Sequence, residues 1–218
     1  MEILWFGQAC FLLRSKNAWI VTDPYNDQYG LKVPKNLKAD VVTVSHEHFD
    51  HNNIEAVLGT SLERPFVING PGEYEINNIE IVGLPSFHDN QKGNLRGKNT
   101  IYIFHLEEMV VCHLGDLGHT LADDQVEELN QVDILLVPVG GTYTIDAKKA
   151  MEVINQIDPK IVIPMHYQIE GLSTHLPLDG LDKFLKEIGA DENPQDLLKI
   201  SKNELPEERR VVILQKRG

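Results

Sequence analysis

Apolar residues fall in short bursts along this chain, and the pattern between them changes near the middle. EILWF, CFLLRS and AWIVTD are apolar runs of strand length, separated by residues 7–9 and by Lys16-Asn17, which predicts a meander of antiparallel strands. DVVTVS predicts another strand, and NIEAVLG after it a short helix stopped by Gly59. PFVI, IEIVGL, TIYIFHL and MVVCHL then alternate with turn signals at residues 69–72 and at Asn77-Asn78. From Thr120 onward the strands alternate with helical spacing. TLADDQVEELNQ predicts a helix capped by Thr120, DAKKAMEVINQI one capped by Asp146 and ending before Pro159, and GLDKFLKEIG one with a glycine stop. VDILLVPV, KIVIPM and the closing RRVVILQ are strands between and after them. Two sheets covered by helices are the simplest assembly of these elements.

Composition narrows the class. The chain has 218 residues, 42% of them hydrophobic, enough for one domain (1–218) with a substantial core, and it contains no repeat, linker or low-complexity tract. No run approaches the roughly 20 apolar residues of a membrane span, and the start lacks a basic segment followed by an apolar one, so the expected setting is cytoplasmic. Cys10 and Cys112 are too few for a disulfide framework, which agrees with a reducing compartment. The formal charge of -13 repels polyanions, so nucleic acid is an unfavoured partner. A small molecule is the expected partner, with assembly into a homo-oligomer compatible with an acidic α/β protein.

The chemistry concentrates in TVSHEHFDHNN, where His46, His48, Asp50 and His51 form an H-x-H-x-D-H pattern at the end of a predicted strand. In an extended segment residues two apart share a side, so His46 and His48 can grip one ion while the following turn aims Asp50 and His51 at a neighbouring point. Further ligand types stand at other strand exits: His88 after IEIVGL, Asp116 after MVVCHL, His166 after KIVI. Loops at strand ends gather polar groups onto a rigid scaffold. The pattern predicts four strand ends converging on one metal site.

In that order, the H-x-H-x-D-H motif, the later lone histidine, the Gly-Asp pair and the final histidine resemble the metallo-β-lactamase superfamily. WFGQACFLL, IVTDPY, SFHDN, HLGDLGH, PVGGTYTIDA and IPMHY extend the resemblance over nearly the whole chain, toward the branch that contains L-ascorbate-6-phosphate lactonase and other small hydrolases. The resemblance implies an α/β (α+β) fold, an αββα sandwich of two mixed sheets flanked by helices. It also implies one metal held by His46, His48 and His88, a second by Asp50, His51 and His166, and Asp116 bridging them. Asp23 matches an early structural aspartate that supports the site, and Gln8 stands where many relatives carry histidine.

Imidazole and carboxylate donors without thiolate suit two divalent ions, Zn2+ first, with Mn2+ or Fe2+ compatible with the same set. Two-metal sites of this kind, about 3.5–4 Å apart, share a water whose pKa falls toward ~7, and the resulting hydroxide attacks a carbonyl or phosphorus while Asp50 orients it. The expected activity is hydrolysis of a small ester or lactone, which a phosphorylated substrate would extend. A metal-dependent phosphodiesterase or ribonuclease and a non-catalytic metal-binding or sensing protein are the alternatives.

Other residues are candidates around that centre. His119 shares a loop with Asp116 and can donate a proton to a leaving group, support a ligand or cap a helix, whereas His113, inside an apolar strand, is expected in the core or behind the ligands. Arg96, Lys98 and Asn99 are expected to meet an anionic group of the substrate. GGTYT is expected to line the cleft, with Thr144 as a contact beside Thr142 and Tyr143, and Tyr167 to offer a phenol or an amphipathic wall.

Overall fold

The computed structural model describes residues 1–173 and 175–218. The opening meander forms as the apolar runs predict: Glu2–Gly7, Cys10–Arg14 and Trp19–Thr22 pair antiparallel, with Leu4 opposite Leu12 and Leu12 opposite Val21. Val41–Thr43 and then Phe66–Ile68 add in parallel on one side, and Leu198–Lys199 closes the other edge of this six-stranded sheet. Alternation decides which face each side chain takes. Ile3, Trp5, Phe11, Leu13 and Ile20 pack into the main core, whereas Leu4, Phe6, Leu12 and Val21 pack on the opposite face against Leu31, Leu37, Val57, Leu172 and Leu176. Both faces are covered, which is why these strands read as near-continuous apolar runs.

The second sheet has seven strands in the spatial order Arg210–Val211, Ile161–Met165, Ile134–Pro138, Met109–His113, Lys98–Leu106, Ile79–Phe87 and Gly72–Ile76. Its first four strands are parallel and the rest antiparallel. Helix α1 (Asp123–Glu128), α2 (Ala147–Ile157) and α3 (Leu181–Ile188) all belong to the second half of the chain. Asp146 caps α2 by accepting from the Lys149 N–H, and Ala150, Val153, Ile154 and Ile157 turn one stripe into the core, each of the larger ones contributing roughly 1.5–3 kcal/mol by burial. The expected sandwich of two mixed sheets is what forms, with thin helical cover. No helix among the described residues is long and apolar enough to cross a membrane.

Three local expectations are corrected. NIEAVLG forms only a 3₁₀ turn, Ile54–Ala56, and then the strand Val57–Gly59, because buried Val57 pairs with Leu37 in a small parallel ladder. Gly59 is required for close approach and not as a helix stop: a Cβ there would lie 2.0 Å from the Leu62 carbonyl oxygen. Thr120 does not cap α1, which starts after Ala122 with the Gln125 side chain accepting from the Ala122 N–H at 3.1 Å. RRVVILQ divides at Val212, sending Arg210–Val211 to the large sheet and Ile213–Leu214 to a short ladder with Pro194–Gln195.

Strand direction explains where the chemistry collects. Ile79–Phe87 and Met109–His113 both run antiparallel to Lys98–Leu106 and so point the same way. Their C-terminal ends, with those of Ile134–Pro138 and Ile161–Met165, reach one rim of the second sheet. Trp19–Thr22 and Val41–Thr43 likewise end together, leading into Asp23 and Ser45.

Candidate metal centre

All seven residues expected as ligands meet between these two rims. His46, His48 and His88 have ligand atoms within 4.8 Å of one another, as do Asp50, His51 and His166, and also His46, His51 and Asp116. Asp116 Oδ2 stands in the middle, 3.4 Å from His51 Nε2, 3.3 Å from His88 Nε2 and 3.4 Å from His166 Nε2. The segment after Val41–Thr43 is a series of turns and not extended, yet His46 and His48 still meet edge to face with ring centres 4.6 Å apart.

Hydrogen bonds set the tautomers on one side of the cluster. Asp23, fully buried, accepts from Ser45 N (2.7 Å), Ser45 Oγ (2.6 Å) and His51 Nδ1 (2.9 Å). A hydroxyl has one proton, so Ser45 Oγ, having given it to Asp23, accepts from His46 Nδ1 at 2.9 Å. Both imidazoles are thereby left with Nε2 facing the cluster. On the other side Asn99 holds the Asp116 loop, accepting from Asp116 N at 2.9 Å and donating to the Leu114 carbonyl at 2.9 Å and Ser86 Oγ at 2.7 Å. Gly115, at φ 56, permits this approach, since a Cβ would sit 2.4 Å from Asn99 Oδ1.

The donor set fits a metal. His46 Nε2, His51 Nε2, His166 Nε2 and Asp116 Oδ1 are buried and have no hydrogen-bond partner among the described residues, an arrangement that is costly unless a cation takes the lone pairs. Burial pushes the pKa of His46 and His88 down, toward the neutral form that ligates. Burial opposes ionisation of Asp116 too, but His166, His51 and His88 overcome it and hold the carboxylate well below its usual range. His51 is driven the other way: burial lowers it, and Asp116, Asp50 and Asp23 raise it well above the ordinary histidine value. A proton and a cation therefore compete for His51 Nε2.

A cleft of about 310 Å3 opens over the cluster. Its floor includes His48, Asp50, His88, Asp116 and His166, and its walls are Tyr29, Phe49, Leu95, Arg96, Tyr143 and Leu176. Arg96 is the only lysine or arginine among these lining residues. Its guanidinium donates to the Thr142 carbonyl at 3.0 Å and lies 5.5 Å from the Tyr143 ring centre. The loop carrying Leu95 and Arg96 is built on Asp89, whose carboxylate accepts from the N–H groups of Gln91, Gly93, Leu95 and Arg96 at 2.7–3.0 Å. Burial raises the pKa of Asp89, but those four bonds prevail and hold it at about 2. Lys98 is exposed and lines an adjoining groove with His46, His48 and Arg96.

Four expected contacts do not reach the substrate side and are corrected. Asn99 is 1% exposed, with both amide ends committed to the protein. Tyr167, 5% exposed, turns into the core 5.2 Å from Trp5, where burial raises its phenol. Thr144 spends its hydroxyl on the Ile145 carbonyl, and Tyr143 is the member of that segment that faces the cleft. His119 uses Nδ1 on the Thr120 carbonyl (2.7 Å) and Nε2 on the Phe87 N–H (3.2 Å), and it lines a separate cleft beside Phe87. It is neither a proton donor over the cluster nor a helix cap. His113 is a core residue, donating from Nε2 to the Ala9 carbonyl at 2.9 Å. Sequence reasoning missed Ser45 and Asp89, although a hydroxyl directly before His46 and an Asp followed by Asn90, Gly93 and Asn94 are the available signals.

A mixed two-sheet sandwich carrying a His/Asp cluster at its rim defines the class, and relatives give it a family. Residues 2–166 match the family described as Beta-lactamase superfamily domain, and the chain belongs to the metallo-β-lactamase superfamily. A provisionally assigned Zn-dependent hydrolase of that superfamily from Thermotoga maritima is 42% identical, with a TM-score of 0.78 over 98% of this chain and 97% of that one. A UPF0173 protein of Pyrococcus abyssi is 28% identical over 78% of this chain and 85% of its own length. A UPF0173 metal-dependent hydrolase of Thermoplasma acidophilum is 29% identical over 77% and 83%. By class the protein is a metal-dependent hydrolase.

Proposed function

We propose that this centre holds two divalent metal ions, Zn2+ being the natural match to its donors, and hydrolyses a small ester or lactone, including phosphorylated ones. His46, His48 and His88 would hold one ion, Asp50, His51 and His166 the other, with Asp116 shared. The observation that carries this is Asp116 Oδ2 at 3.3–3.4 Å from three imidazole nitrogens of three different segments. Bound there, such ions supply Lewis acidity and bring the pKa of water toward ~7.

The chain's own residues do the rest. Asp50, on the cleft floor, accepts a hydrogen bond from the attacking water and takes its proton on the carboxylate. Asp23 and Ser45 keep His51 and His46 in one tautomer and orientation. Arg96 meets negative charge on the substrate, and Tyr29, Phe49, Leu95 and Leu176 exclude water around the apolar part. A volume of about 310 Å3 suits a small molecule and argues against a bulky polymer. With Arg96 as its one lining cation, the cleft offers a nucleic-acid backbone little to grip. The free buried thiols Cys10 and Cys112 fit a reducing, cytoplasmic setting.

The test is to assay Zn2+-loaded and chelator-stripped protein on chromogenic lactones, esters and bis-p-nitrophenyl phosphate. Lactone or ester turnover that is lost on chelation and restored by Zn2+ is expected. Turnover of the phosphodiester alone would replace this proposal with the phosphodiesterase, and silence on all three with metal bound would leave a sensor.

A further inference from the structure

Gln8 occupies the turn between the strands Glu2–Gly7 and Cys10–Arg14, at φ 49 and with 2% exposure. Its backbone carbonyl accepts from the His166 N–H at 3.2 Å and from Trp5 Nε1 at 2.9 Å, which fixes it against the segment carrying that ligand. Among the described residues its carboxamide has no partner at either end. Buried amides are ordinarily hydrogen-bonded, because an unmade bond leaves the full desolvation cost.

His166 is its counterpart. It also has left-handed backbone, at φ 53, and Nδ1 on the far side of its ring from Asp116 is buried without a partner among the described residues. Across the site the corresponding nitrogens are engaged, His51 Nδ1 with Asp23 and His46 Nδ1 with Ser45. Two adjoining residues in a sparsely populated backbone region, each with orphaned polar atoms, mark a place where the surroundings enforce strain for a purpose.

We infer that Gln8 is a positioning residue for His166: a turn of its unpaired carboxamide lets the oxygen accept from Nδ1–H and so fix the tautomer that directs Nε2 to the cluster. It does for His166 what Asp23 does for His51, with a neutral acceptor in place of a charged one. The inference rests on the two-metal proposal above.

The test compares wild type, Gln8→Met and Gln8→Glu by Zn2+ stoichiometry and by competition with a chromophoric chelator. Gln8→Met is expected to weaken one of the two ions by ~10–100-fold, the usual effect of losing an outer partner of a ligand, and to spare the other. Gln8→Glu should restore binding. Metal-free Gln8→Met should melt close to wild type, so that weakened metal binding is distinguished from lost folding. Unchanged affinity for both ions in Gln8→Met, or no rescue by Gln8→Glu, overturns the inference. A second readout needs no variant: in ¹⁵N spectra of Zn2+-loaded wild type, His166 Nδ1 should carry a slowly exchanging proton, and a freely exchanging one contradicts the pairing. Wild type that binds no Zn2+ sinks the metal proposal itself, whereas wild type with two ions and an unaltered Gln8→Met sinks only the role of Gln8.

Discussion

The two walls of the site are built by different means. On the six-stranded sheet, Asp23 and Ser45 tie His46 and His51 into a closed network of side-chain hydrogen bonds of 2.6–2.9 Å. On the seven-stranded sheet the backbone is held firmly, Asp116 by Asn99 and the loop 91–96 after His88 by Asp89, but His88 Nδ1 and His166 Nδ1 have no partner among the described residues. The protein's own side chains orient the rings of the first wall, whereas Nδ1 of both rings on the second is left without such a bond among the described residues.

Breaking the rigid wall should have the largest effect. Asp23→Ala removes the acceptor of three buried hydrogen bonds and leaves His51 Nδ1 and the Ser45 N–H unpaired, so a stability loss of about 3–5 kcal/mol is expected in denaturant titration. Hydrolysis should fall by ~10–100-fold or more even where the variant is folded. A stable, active Asp23→Ala would mean that the network does not organise this wall.

The other wall is probed at Asp89. Asp89→Asn replaces a carboxylate that gathers four N–H groups, so the loop bearing Arg96 should loosen and KM rise by roughly tenfold, with metal content retained. The sign of its pH dependence follows from a folded pKa of about 2 against an ordinary 3.8. The ionised group stabilises the native state, fully above the ordinary value, and that contribution vanishes as pH falls through 2. Melting curves of wild type and Asp89→Asn should thus differ at neutral pH and converge at the acid end.

The smallest effect is expected at His119, which belongs to neither wall. His119→Ala gives up two hydrogen bonds at a half-buried position and should cost about 1 kcal/mol, with a change in kcat far short of the ~10²–10⁴ that loss of a general acid brings. A loss of that size would restore His119 to the reaction.

Much of this was legible in the chain. Apolar runs locate the strands that form the rims, Asp146 locates the start of α2, and ligand types at strand exits locate all seven residues of the cluster, Asp116 among them. What spacing could not supply was side-chain direction at turns. His166 sits at φ 53, so the chain reverses there and Tyr167 enters the core beside Trp5 in place of the cleft. Asn99 is the second residue of a strand that starts at the rim, yet its side chain faces inward to brace the Asp116 loop. NIEAVLG has apolar spacing suited to either element, and long-range pairing with Leu37–Ala39 decided for the strand.

In the proposed centre, side chains from four strand ends share a pair of cations through Asp116. Elemental analysis of freshly purified protein, desalted and then equilibrated with Zn2+, tests it most directly when run beside Asp116→Ala. Two ions per chain in the wild type and a clear deficit in the variant are predicted. Wild type that takes up no metal, or an Asp116→Ala that retains a full complement, would contradict the account.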